Sequence, residues 1–319
     1  MVVLVRRGVG DVIWHLPTFR ALARRSPQGK IVVAMRPTSR GQDLLKADPL
    51  IDHVVYLPYQ KSVLADLWSH IRIFRRERPS GIWVMEKVVL PSLAAFLAGV
   101  PERHGFGMGA RSQEMWLNAG PHMPRSSRRY HCLDKLNLFD QLNGLETDRA
   151  VTLPLEPEAV AAVSAKYAGL PRPWVVFGIG ASEPFRMWPL ERLAETAARL
   201  KDQIGTLFWF GSPAECKAMQ VVLAGRYDQP NSVWFSGAFD EGAPLLSLAD
   251  LFVGPDSGPL NVTGAVGTPA LGLYGPSPQL TYSPWLHGVV SPDRTMEGLT
   301  VDQAVEAATA LLNTRRKAS

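Results

Sequence analysis

Short apolar runs that close on glycine recur through the second half of the chain: "WVVFGIG" (174–180), "GTLFWFG" (205–211), "SVWFSG" (232–237), "LFVG" (251–254) and "ALGLYG" (270–275). They are apolar at nearly every position, not at every second one, which marks strands buried on both faces. Between them lie stretches with helical spacing, such as 189–201, where Pro189 suits a first helical position. Strands returned by helices run parallel, with helices covering the sheet. The first half repeats the pattern: "KIVVAM" (30–35), "HVVYLP" (53–58) and "GIWVME" (81–86) alternate with amphipathic stretches at 17–25 and 62–77. The proline-rich segment 154–173 reads as a linker around one helical stretch. The chain therefore predicts two doubly wound α/β domains: 1–153, linker 154–173, and 174–299, closed by an amphipathic helix over 300–313 and a basic tail to 319.

The opening "GVGDVIWHLPTFRAL" (8–22) follows the apolar start "VVLVRR" and reads as strand, glycine loop, helix. It fails the dinucleotide fingerprint, because Gly8 and Gly10 are followed by Ile13 where the third glycine belongs. The next strand, "IVVAMRP", also lacks the acidic residue that would hold a ribose. Asp11, at the mouth of the first helix, needs another explanation: a cap for the helix end, or chemistry.

Composition narrows the classes. Cys132 and Cys216 stand far apart, which predicts a reducing compartment with neither a disulfide nor a cysteine-based zinc site. No apolar run approaches the ~20 residues of a membrane span, and the start is a poor signal peptide, since its arginines follow the apolar run. Charge is uneven: residues 1–150 hold 22 Lys+Arg against 13 Asp+Glu, and residues 151–319 hold 12 against 16. A first half at net +9 favours an anionic partner such as a phosphorylated acceptor or an acidic membrane surface; it also fits a solvated basic face. Nucleic acid is disfavoured, because the positive charge is scattered and no binding motif accompanies it.

Two loops of the second half suit phosphate. "GIGASEPFRMWP" (178–189) carries Ser182 and Arg186 from a strand end toward a helix, and "GPDSGPLNVTGAVGTP" (254–269) enters another through Asp256, Ser257 and Gly258. Helix N-termini present unpaired N–H groups and a positive dipole end, and Arg adds a fork suited to phosphate. Either loop alone is also explained by capping; together they favour a diphosphate site.

Four stretches then identify a resemblance: "GDVIWHLPTFRAL", "GASEPFRMWP", "GSPAE" (211–215) and "DSGPLNVTGAVGTPALGLYGPSPQ". In their order the chain resembles glycosyltransferase family 9, the ADP-heptose:lipopolysaccharide heptosyltransferases. The resemblance implies the GT-B fold, two Rossmann-like doubly wound domains facing a central cleft, with the nucleotide sugar held by the C-terminal domain and the acceptor by the N-terminal one. It implies inverting transfer with no metal and no cofactor, and the sequence contains no Asp-x-Asp. Asp11 matches the general base. Arg186 stands where the family usually has Lys, and would neutralise the departing diphosphate. Ser182, Ser257 and Gly258 would bond phosphate, Asp256 would lie near the donor sugar or cap its helix, and Glu215 would lie near the ribose, although a Glu at a helix start is equally explained by the helix dipole. Asn261 stands where the family commonly has His; it cannot carry charge, which leaves the donor sugar open.

Several residues admit two readings. His15, four residues after Asp11, shares its helix face and either orients the base or is a satisfied histidine. Arg125, Arg128 and Arg129 in "RSSRRYH", and the run "RIFRRER" (72–78), are candidates for gripping acceptor phosphates or anionic lipid headgroups; the second run has helical spacing and equally fits a solvated helix face. Trp14, Trp83 and Trp116 suit sugar stacking or simple burial. The resemblance points to the cytoplasm, with peripheral contact at the cytoplasmic face of the inner membrane, and to a glycolipid or oligosaccharide acceptor. A catalytically silent nucleotide-sugar binder and an epimerase on the same two-domain fold are the competing expectations.

Overall fold

The computed structural model describes residues 1–4, 8–58, 60, 62–147, 150–224 and 231–318, with side chains to 314; residues 5–7 of the opening motif and the side chains of the basic tail beyond 314 lie outside this range. The chain forms two compact units, Met1–Arg149 and Ala150–Ser319. Among the described residues each unit is built on one sheet whose strands all pair in parallel.

The first unit contains β1 (Val2–Leu4), β2 (Ile31–Met35), β3 (Ile51–Tyr56), β4 (Gly81–Val84) and β5 (Glu102–Gly105), in the spatial order β3-β2-β1-β4-β5. Its helices are α1 (Val9–Arg25), α2 (Gly41–Leu45), α3 (Val63–Glu77), α4 (Val89–Ala98), α5 (Arg111–Glu114) and α6 (Cys132–Leu142). Side chains of neighbouring strand residues point to opposite faces. Val3, Ile82 and Val84 thus pack under Ile71 and Phe74 of α3 and Ala94 and Ala95 of α4. Trp83, between Ile82 and Val84, turns to the other face and meets Phe139 of α6 edge-on at 5.9 Å. Burying a side chain as completely as Phe74 contributes about 1.5–3 kcal/mol.

The second unit holds β6 (Trp174–Gly178), β7 (Thr206–Phe210), β8 (Ser232–Phe235), β9 (Leu251–Pro255), β10 (Ala270–Tyr274) and β11 (Leu286–Val290), in the order β11-β10-β9-β6-β7-β8. Helices α7 (Pro157–Tyr167), α8 (Leu190–Arg199), α9 (Pro213–Leu223), α10 (Phe239–Leu248), α11 (Gly258–Ala265) and α12 (Val301–Ala318) accompany it. Strands β6, β7, β9 and β10 are buried at every residue, as their continuous apolar runs predict.

The structure differs from the sequence reading in several places. Segment 154–173 holds its one expected helix, α7, but belongs to the second unit, where α7 packs against α10. Helix α1 starts at Val9, eight residues before the predicted 17–25, and carries Pro17 in its interior. Nine buried residues, from Val12 to Ala23, hold it against the sheet, so packing overrides the hydrogen bond that Pro17 cannot donate. The final helix runs on to Ala318. Pro189 is the N-cap of α8 and not its first residue.

Helices α1 and α6 meet through a buried polar pair: the Thr18 hydroxyl lies 2.9 and 3.0 Å from the two Asp140 carboxylate oxygens. Burial pushes the Asp140 carboxyl up to about 7 from 3.8, and the Thr18 bond only partly offsets this. Between those values the folded chain holds a proton that the unfolded chain has released. The group's contribution to stability is therefore fully present below about pH 4 and is lost as pH rises through about 7. Asp140→Asn is expected to match the wild type at pH 4 and to melt higher at pH 8, by on the order of 4 kcal/mol of unfolding free energy at most. Melting curves of both proteins across that range check it; equal pH profiles would refute it.

Candidate functional site

In the second unit the chain leaves β6 toward β7 and β8, and leaves β9 in the other direction toward β10 and β11. The loops after these two adjacent strands diverge, opening a crevice at their carboxyl ends of the kind where doubly wound sheets bind ligands. Glycines allow close packing where the two strands end: a methyl group on Gly254 would lie 3.0 Å from the Gly178 carbonyl oxygen, and one on Gly178 would strike the Phe252 ring.

Both loops that suit phosphate emerge here. After β6, Ser182 and Phe185 are exposed, and a single 3-10 turn, Pro184–Arg186, presents the half-buried Arg186. After β9, Asp256 and Ser257 are buried, and Ser257 is the N-cap of α11, followed by Gly258 and Pro259 in the first turn. Arg186 Nη1 lies 3.3 Å from Asp256 Oδ2. The Ser257 hydroxyl caps nothing, and among the described residues neither it nor Arg186 Nε has a hydrogen-bond partner although both atoms are buried. Capping therefore accounts for neither Asp256 nor Ser257. The crevice combines a cation, a hydroxyl and the unpaired N–H groups of a helix start.

Glu215 is placed differently. It forms a reciprocal cap with Ser212 at the start of α9: its carboxylate accepts the Ser212 N–H at 2.6 Å, and Ser212 Oγ accepts the Glu215 N–H at 3.3 Å. Gly180, on the loop after β6, packs directly against that carboxylate. Asn261 is only 2% exposed. Its amide donates to the Ser257 carbonyl at 2.8 Å, and its Oδ1 accepts from the Tyr282 hydroxyl at 2.7 Å. Asn261 thus braces the first turn of α11 against the segment before β11. Tyr282 and Tyr274 are the residues that sequence reasoning missed. Tyr274, buried on β10, has its phenol pushed up by burial and, further, by the nearby Asp256 charge. No motif marks either one.

The first unit has the same reversal between β1 and β4. Gly8 is the N-cap of α1, and Gly10 falls inside the first helical turn instead of the predicted loop. Asp11 is the third residue of the helix, and its half-buried carboxylate accepts the Gly8 N–H at 3.2 Å. His15 is buried, and its Nδ1 lies 2.6 Å from the Asp11 carbonyl oxygen, a main-chain contact. Trp14 meets the His131 ring at 5.3 Å, which draws the segment ending in "RSSRRYH" to the same helix. Arg125, Arg128 and Arg129 lie in a 3-10 helix; Arg128 Nε donates to the Met108 carbonyl at 2.8 Å, while Arg125 and Arg129 are exposed. That anchor sets the basic segment on the loop after β5, at the same sheet edge as Asp11. Trp83 stacks on His104 at 3.7 Å, and Trp116 leans on Phe96 at 5.2 Å, so both rings have partners within the fold. Among the described residues no group of three or more His, Cys, Asp or Glu side chains could hold a metal ion, and no helix is long and apolar enough to cross a membrane.

Comparison with known proteins agrees with this geometry. The sequence profile of glycosyltransferase family 9 (heptosyltransferase) matches residues 68–293. Lipopolysaccharide heptosyltransferase 2 of Escherichia coli is 25% identical over 84% of this chain and 80% of its own length. Lipopolysaccharide core heptosyltransferase OpsX of Haemophilus influenzae is 23% identical over 89% of this chain and 81% of its own. The structure of Escherichia coli ADP-heptose LPS heptosyltransferase II superposes with a TM-score of 0.79, at 21% identity, covering 99% of both chains. The two parallel-sheet units are thus those of the GT-B fold.

The Glu215 cap yields a direct check. Gly180→Ala is expected to swing the Glu215 carboxylate off the Ser212 N–H, and Ser212→Ala to remove the other half of the cap. Each should cost about 1 kcal/mol in denaturant unfolding. A loss well above that for Gly180→Ala would mean that the backbone, and not the flexible carboxylate, has to move.

Proposed function

This chain belongs to glycosyltransferase family 9 (heptosyltransferase), and on that premise we propose that it moves heptose from ADP-heptose to a hydroxyl of a lipopolysaccharide-core or related glycan. The observation that carries the reading is the set of unspent groups at the β6/β9 crevice: Arg186, held near Asp256, beside the uncapped Ser257 at the start of α11.

A diphosphate placed there takes hydrogen bonds from the first-turn N–H groups of α11 and from Ser257 Oγ. The Arg186 guanidinium balances the charge that grows on the leaving ADP, so the reaction runs without a metal. Asp256 holds that guanidinium in place and lies on the donor-sugar side, Ser182 adds a phosphate contact from the exposed loop, and Glu215 receives the ribose. Gly258 lets the helix start approach the phosphates, and Asn261 keeps that turn in shape. In the first unit, Asp11 takes the proton of the acceptor hydroxyl as its oxygen bonds to the anomeric carbon. The bond from that carbon to the diphosphate breaks, its electron pair leaves with ADP, and the configuration inverts. Asp11 does this mainly by position. Arg125, Arg128 and Arg129 meet anionic groups of the acceptor.

Titration calorimetry with ADP, UDP and GDP, with and without magnesium, tests the donor half. ADP is expected to bind most tightly and without regard to magnesium, and Arg186→Ala to weaken it by about tenfold to a hundredfold. Asp11→Asn preserves an oxygen for the Gly8 N–H and is expected to keep ADP affinity while lowering turnover by about 10²–10⁴-fold. Full turnover by that variant would remove Asp11 as the base. Absence of nucleotide binding would overturn the whole reading, and ADP binding with no transfer would leave a silent binder.

A further inference from the structure

We propose that the outer stripe of α3 seats the first unit on an anionic lipid bilayer. Leu64, Trp68, Arg72 and Arg75 follow the spacing i, i+4, i+8, i+11 and so line one face of the helix. On the opposite face His70, Ile71, Ile73 and Phe74 are buried. Leu64 is 70% exposed and Trp68 60%, and Val63, in the first turn, is 76% exposed. Exposed apolar side chains this large, grouped in two turns, are more than scattered surface hydrophobics.

The stripe changes character along its length. Its first half is apolar with an indole, and its second half carries Arg72 and Arg75, neither of which forms an ion pair among the described residues. Arg75 Nη2 donates to the Leu97 carbonyl at 3.2 Å, which places the exposed Phe96 and Leu97 at the end of α4 next to the arginines. The acidic residues of α3 are otherwise occupied, Asp66 by Arg36 and Glu77 by Arg76 and His53. The outward face is therefore apolar and cationic.

Charge decides among the occupants. A second copy of this chain, packed face to face, would set two arginine-bearing faces of a unit at net +9 against each other. A nucleic acid would leave Val63, Leu64 and Trp68 unpaired. An anionic bilayer satisfies both halves: Leu and Trp enter the boundary between headgroups and acyl chains, and arginines meet lipid phosphates. A helix of 15 residues bearing arginines on its outer face cannot span a membrane, so it lies in the interface plane. The inference deepens the reading of a lipid-linked acceptor, and its test needs neither donor nor acceptor.

The full chain is sedimented with vesicles of phosphatidylglycerol and phosphatidylethanolamine, and with phosphatidylcholine alone. Binding to the first, weakened by salt, and little binding to the second is expected. The double variants Leu64→Gln/Trp68→Gln and Arg72→Gln/Arg75→Gln should each weaken partitioning by about tenfold or more, with melting and ADP binding unchanged. Equal binding by wild type and variants, or no sedimentation with anionic vesicles, overturns the proposal. So does a dimer in analytical ultracentrifugation that Leu64→Gln/Trp68→Gln dissociates, since a second copy would then cover the stripe. Loss of ADP binding with vesicle binding intact would overturn the transferase reading alone.

Discussion

A parallel strand can be continued only by carrying the chain back across a face of the sheet, and in each unit this chain does so in opposite directions from a central pair of strands. At β1/β4 and at β6/β9 the loops that follow turn away from each other, leaving the carboxyl ends of the strands uncovered. The helices that follow β1 and β9 begin at these two places and point their N-termini there. Asp11 and Ser257 owe their positions to this one topological fact. The glycines at 178 and 254 serve the adjacent strand ends, because a side chain at either would meet the Phe252 ring or the neighbouring strand's backbone.

Three serines at helix starts show how local sequence and tertiary contact divide the work. Ser62 accepts the Ala65 N–H and Ser212 accepts the Glu215 N–H, so both spend their hydroxyls on their own helices. Ser257 occupies the same formal position on α11 and caps nothing. It is buried beside an Arg186–Asp256 pair contributed by two different loops. A buried hydroxyl left unbonded is costly, and that cost is recovered when a ligand supplies the missing partner. The same logic separates Glu215, whose carboxylate already supports its helix, from Arg186, whose charge is only loosely engaged.

The first unit shows a complementary arrangement. Its interior tolerates one buried carboxyl, Asp140, held by Thr18 between α1 and α6. Its surface concentrates positive charge, in the 3-10 helix at 125–129 and along α3. The cationic and apolar residues of α3 fall on one stripe because a helix brings residues four apart into line, whereas in the written sequence they look dispersed.

The sequence by itself determined the strand-and-helix alternation of both units, the strands with continuous apolar runs, the helical stretch over 62–77 that is α3, and the loops that carry Arg186 and Ser257. These are legible because burial on both faces and helix starts leave local signatures. The edge strands β5, "ERHG", and β11, "LHGVV", were not, since an edge strand is held by backbone bonds to one neighbour and can expose its side chains. Nor was the start of α1, where packing outweighs Pro17 and takes Gly10 into the helix. Only the tertiary structure decided that Asn261 braces a turn through Tyr282 and that Arg186 meets Asp256. Those contacts join residues that lie far apart in the chain or on separate loops, and no local periodicity encodes which distant side chain the sheet will bring alongside.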